Sequence, residues 1–130
     1  MKRPVTCRGF TLLELLVVVF IIGLLAAVGF PMVTGYVEDG KKKAAENGLR
    51  AIYLVQKDWL RENPEYYGTG AGDHTASINT NLFSGNQTLD ESGDYKFQII
   101  ADGATKFSAK AIANGKDPLC INQNNKMGCD

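Results

Sequence analysis

The residue that points most directly to chemistry is one carboxylate, Glu14, at the edge of an apolar run. Residues 15–37 that follow it are 23 consecutive uncharged residues. A carboxylate inside such a segment costs on the order of a few kcal/mol if it lies deep in a bilayer, so it marks a functional site by default. Other reactive groups are sparse. His74 is the sole histidine, beside Asp73 in a glycine-rich stretch, where a solvated role is expected rather than a metal site. There is no phosphate-binding loop, no supported Ser-His-Asp arrangement and no coherent carboxylate pair, so no enzyme and no cofactor are expected. Cys120 and Cys129 lie near the C-terminus with eight residues between them, and Cys7 lies in the basic start. An even pair in a domain that leaves the cytoplasm reads as a disulfide. Two free thiols or a metal pair are the alternatives, although four metal ligands cannot be assembled from so few candidates.

The bulk properties narrow the partners. A chain of 130 residues is of single-domain size. Fourteen basic and 14 acidic residues balance, which gives no reason to expect nucleic acid as the main partner. The distribution is uneven: Lys2, Arg3 and Arg8 precede the apolar run, whereas from Glu38 onward 11 basic and 13 acidic residues are interspersed. Lys41-Lys42-Lys43 is the one basic cluster, placed where the chain leaves the apolar segment. Lipid headgroups or solvent suit it better than DNA, which would need aromatic neighbours. Asn86-Gln87-Thr88 fits a glycosylation acceptor pattern, one that arises often by chance.

The elements that carry these residues follow from periodicity. The run after Glu14 is apolar on all sides, as a helix in lipid or at the centre of a bundle is, and about 20 such residues cross a bilayer. It exceeds the roughly 7–15 apolar residues of a secretory signal peptide. The leading basic residues hold that end in the cytoplasm. Gly23, Gly29 and Pro31 are expected to interrupt the helix. Beyond it, Leu49, Ile52, Val55 (or Gln56) and Trp59 recur on one helical face, and Asn63-Pro64 ends a helix that starts near Thr11. A polar, glycine-rich connection covers residues 65–94, with Leu82, Phe83 and Leu89 pinning it to the core. Then the period becomes two. Tyr95, Phe97 and Ile99 alternate with polar residues, a turn is expected at Ala101-Asp102-Gly103-Ala104, and Phe107, Ala109 and Ala111 alternate again. Asn114-Gly115 signals a second turn, and a short strand is expected around residues 119–121. The fold class is α+β: a long N-terminal helix on a small antiparallel sheet.

The segment Arg8-Gly9-Phe10-Thr11-Leu12-Leu13-Glu14 resembles the processing motif of type IV prepilins and related pseudopilins, with the likeness strong over residues 8–31. The resemblance implies a prepilin peptidase that cuts after Gly9 and methylates the Phe10 amine. It also implies a leader at 1–9, a retained membrane and fibre-core helix at 10–37, and a head at 38–130. In such proteins the stretch matching Gly23 to Pro31 loosens when subunits leave the bilayer. Residues 95–100, 106–113 and the end bounded by Cys120 and Cys129 resemble, more loosely, the head and disulfide loop of type IVa pilins. Implied partners are other pilin subunits and an inner-membrane assembly platform; implied tasks are adhesion, motility or DNA uptake. The implied location is the inner membrane, then an extracellular pilus. A type II secretion pseudopilin is the alternative, although the disulfide pair favours a pilin and the acidic calcium loop of major pseudopilins is not found. A plain membrane-anchored binding domain would share everything except the motif and Glu14.

Overall fold

The computed structural model describes residues 2–4 and 8–129. Met1, residues 5–7 (Cys7 and part of the expected leader) and Asp130 lie outside the described residues. Helix α1 spans Leu12–Glu62. Thr11 starts it: its Oγ1 accepts the Glu14 N–H at 3.2 Å, satisfying one of the amides that a helix start leaves unpaired. At the other end the Asn63 backbone N–H and side-chain Nδ2 both donate to the Trp59 carbonyl at 3.0 Å. Pro64 then denies the helix a donor.

The chain divides within α1 into two compact units, Met1–Glu38 and Asp39–Asp130. In the first unit the expected interruption does not occur. The helix runs unbroken through Gly23, Gly29 and Pro31. Proline removes a single donor, and each glycine costs only about 1 kcal/mol, while every other residue of an established helix adds a bond. Thr34 Oγ1 also donates to the Pro31 carbonyl at 2.9 Å. These residues therefore weaken the helix locally without ending it.

In the second unit Ala45, Leu49 and Ile52 form the buried stripe of α1, with Val55 and Trp59 half-buried against it. Gly48 belongs to the stripe because a Cβ there would come within 2.9 Å of Leu89 Cδ2 and 3.1 Å of Phe97 Cζ. The sheet partners are β1 (Lys96–Asp102), β2 (Lys106–Ile112) and β3 (Leu119–Asn122), antiparallel in the order β1-β2-β3. Phe97, Ile99, Phe107, Ala109, Ala111 and Ile121 face the core. The first hairpin turns later than expected. Asp102 still pairs with Lys106, and the loop is residues 103–105 with Gly103 at φ +60°. A three-residue loop takes its left-handed residue as glycine without a steric cost.

The connection at 65–94 is not a bare loop. It contains α2 (Thr75–Asn81), which buries Ile78, while Leu82 and Leu89 are buried beyond it. Polar side chains fasten it. Gln56, fully buried on α1, donates to the Tyr67 carbonyl at 2.6 Å and accepts the Tyr67 N–H at 2.9 Å. Asn79 repeats the arrangement with Leu89, with both bonds 2.9 Å. Thr75 Oγ1 donates to Asp73 Oδ1 at 2.8 Å and accepts the Phe97 N–H at 3.1 Å. That hydroxyl bond holds the Asp73 carboxyl below the usual carboxylate range.

Both sheet edges are closed. On β1 the outward groups of Phe97 and Ile99 bond to Thr69, Gly70, His74 and Thr75. On β3 Asn122 N–H donates to the Lys126 carbonyl, and Gly128 N–H donates to the Cys120 carbonyl. Cys120 and Cys129 are joined by a disulfide across this returning segment. Closing so short a loop contributes roughly 2–3 kcal/mol in the chain-entropy picture.

Replacing Asn79 by Leu strands the buried N–H and C=O of Leu89. The expected cost is about 2–4 kcal/mol, a fall of roughly 10–25 °C in the unfolding midpoint of the head. Fluorescence of Trp59, the sole tryptophan, checks it on the detergent-solubilised chain, with the exposed Leu54→Gln as the neutral control.

Candidate functional site

The residues singled out at the N-terminus form one continuous strip. Gly9 has no other group within 4 Å of where a Cβ would stand, and Phe10 is 86% exposed. Both precede the first helical residue, Leu12, so the Gly9–Phe10 peptide bond carries no secondary structure that would have to be undone before cleavage. Thr11 and Glu14 then fit the spacing in which a threonine caps a helix and an acid follows three residues later. The helix dipole favours a negative charge at this end. This is a second, local reason for an acid at Glu14. The T-x-x-E pattern was present in the sequence to reveal it.

Capping accounts for the Glu14 backbone, whereas its carboxylate is exposed and forms no ion pair with another described residue. Glu14 stands four residues beyond Phe10, about one helical turn. Every large apolar side chain from Phe10 to Val37 is exposed, including Leu25 at 69% and Phe30 at 75%. Monomers in water rarely expose contiguous apolar patches beyond a few hundred Å². The helix is long and apolar enough to cross a membrane. Gly23 and Gly29 have open space where a Cβ would stand, so they present backbone to whatever covers the helix.

The remaining candidates do not join this strip. Lys41 pairs with Asp94 at 2.7 Å, and its ammonium holds that carboxyl below the usual range. Lys43 pairs with Glu46 at 3.0 Å, so two of the three clustered lysines are already balanced. His74 is half-buried with Nε2 3.2 Å from the Ala71 carbonyl, and Asp73 is held by Thr75. Among the described residues no group of three metal-ligating side chains converges. Cys120 and Cys129 sit at the far end of the sequence, in the closed edge of the sheet.

One comparison with known proteins falls on the same strip. Residues 6–30 match the family model of the prokaryotic N-terminal methylation motif. The chain is 42% identical over 59 residues to the type IV major pilin protein PilA of Myxococcus xanthus (strain DK1622), covering 45% of this chain and 27% of that protein. It is 37% identical over 65 residues to the type II secretion system core protein G of Escherichia coli (strain K12), covering 50% of this chain and 45% of that protein. The chain thus spans less than half the length of either relative. The methylation motif at the start of the exposed apolar helix, together with these two relatives, makes the chain similar to type IV pilins and their secretion-system counterparts.

Proposed function

We propose that the chain is a subunit of a type IV pilus. It is made as a single-pass inner-membrane precursor with its N-terminus in the cytoplasm, cut after Gly9 by a prepilin peptidase and methylated on the Phe10 amine. An inner-membrane platform then moves it into an extracellular filament whose core is helix 10–37. One observation carries this reading: a processing motif runs directly into a wholly exposed apolar helix whose one charge, Glu14, has no ionic partner among the described residues. Removal of the leader takes Lys2, Arg3 and Arg8 with it and creates a new cation on Phe10. In a filament the staggered helix of a neighbour presents that ammonium to Glu14, and methylation preserves its charge. Opposite charges attract far more strongly in an apolar core than in water. Glu14 thereby sets subunit register. The weak points at Gly23, Gly29 and Pro31 are where the helix loosens on leaving the bilayer.

A second reading, a secretion pseudopilin, is favoured by the similarity to core protein G. The disulfide-closed end supports the pilus reading instead. The two differ in where the product accumulates: sheared extracellular filaments for a pilus, the cell envelope for a pseudopilus.

The mature chain is expected to begin at methylated Phe10 and contain 121 residues, 130 minus 9. Intact-protein mass checks this, and a start at Met1 or near Gly29 contradicts it. Glu14→Leu is expected to insert, be processed and fold its head normally, yet enter filaments poorly. The loss reflects a buried neighbouring ammonium left unpaired, at about 3–5 kcal/mol. Glu14→Asp falls between. The ratio of sheared filament to membrane pool measures the effect, and assembly of Glu14→Leu at the wild-type level would exclude the ion pair.

A further inference from the structure

The face of the sheet turned away from the core is not flat. The disulfide folds residues 128–129 over β3, burying Cys120 and raising a wall along one side. Beside this wall lies an open groove of about 490 Å³. Its lining includes Ile100, Lys106, Ser108, Lys110, Asn122 and Gln123. Ile100 is 41% exposed and forms an apolar platform within the groove. Neither Lys106 nor Lys110 forms an ion pair with another described residue, and the one carboxylate in the lining is Asp102.

The chemistry of this lining selects among anionic ligands. Both sheet edges are already paired, so a peptide cannot bind by adding a strand. A single-stranded nucleic acid would need aromatic platforms, yet the groove's one aromatic residue, Phe107, is turned into the core against Tyr66 at 4.8 Å. Two ammonium groups with no ion pair among the described residues, a hydroxyl, two side-chain amides and an exposed aliphatic surface match a different ligand. Carboxylates meet Lys106 and Lys110, hydroxyls meet Ser108, Asn122 and Gln123, and the C–H face of a sugar ring lies on Ile100. We propose that this groove binds a carboxylate-bearing polysaccharide. The proposal concerns the head alone and stands whether or not the chain forms filaments. In any assembly that repeats the head, weak single sites would add through multivalency.

The test uses the full chain in detergent on surfaces bearing polygalacturonate, neutral dextran or polyglutamate, at about 0.15 M salt. Retention on polygalacturonate alone is expected. The double variant Lys106→Glu/Lys110→Glu should bind at least about tenfold more weakly, while Lys42→Glu, outside the groove, stays within about twofold of the parent. Trp59 fluorescence reports that each head is folded. If the double variant does not fold, Gln123→Glu, on the loop rather than the sheet, should still weaken binding several-fold. No retention on polygalacturonate, equal retention on dextran or polyglutamate, or unchanged binding by the folded variants would each overturn the proposal.

Discussion

The constraint on which the rest depends is apolar surface that the chain cannot cover by itself. From Phe10 to Val37 the chain exposes every large hydrophobic side chain it carries. At roughly 25 cal/mol per Å² of apolar area, that segment leaves water at the first opportunity, into lipid or against other helices. A helix satisfies its own backbone hydrogen bonds in either environment. On the proposed reading the same segment serves as a membrane anchor and as a fibre core, and little else need change between them. What distinguishes the two environments is charge, and the segment's one charge stands at its first turn.

The head is built so that it does not compete for this role. Gln56 and Asn79 spend their side-chain polar groups on backbone atoms of the long connection, and the Thr75 hydroxyl accepts the Phe97 N–H, fastening the connection along β1 as a strand would. Among the described residues no buried side-chain nitrogen or oxygen lacks a partner. The C-terminal segment, tied by Cys120–Cys129, closes β3 in the same way. Unpaired strand edges invite uncontrolled association. With both edges occupied, association is left to the helix.

Legibility in the sequence tracked the physical signal. The apolar run, the stripe at Leu49 and Ile52, and the alternation through Phe97, Ile99, Phe107 and Ala109 are periodic, and each appears where its period places it. Helix α2 was hidden because one apolar residue, Ile78, among six polar and small ones gives almost no periodicity. Gln56 and Val55 were not separable, since a glutamine on an apolar stripe reads as polar until its partner, Tyr67, is known to lie above it. Gly23, Gly29 and Pro31 were read as an interruption from local propensity, but helix cooperativity over 51 residues outweighs three weak positions. At the N-terminus the motif made Gly9, Phe10 and Glu14 visible. The capping role of Thr11 is signalled by the same T-x-x-E spacing, and the geometry supplies its hydrogen bond.

In the proposed assembly the helix exchanges one apolar cover, lipid, for another, neighbouring helices. A photo-reactive side chain in place of Leu25, 69% exposed on that helix, tests it most directly. Illuminated in the membrane pool, it should form adducts with lipid. Illuminated in sheared filaments, it should join the chain to a second copy of itself. Lipid adducts in both fractions, or attachment to the chain's own head in either, would contradict the account.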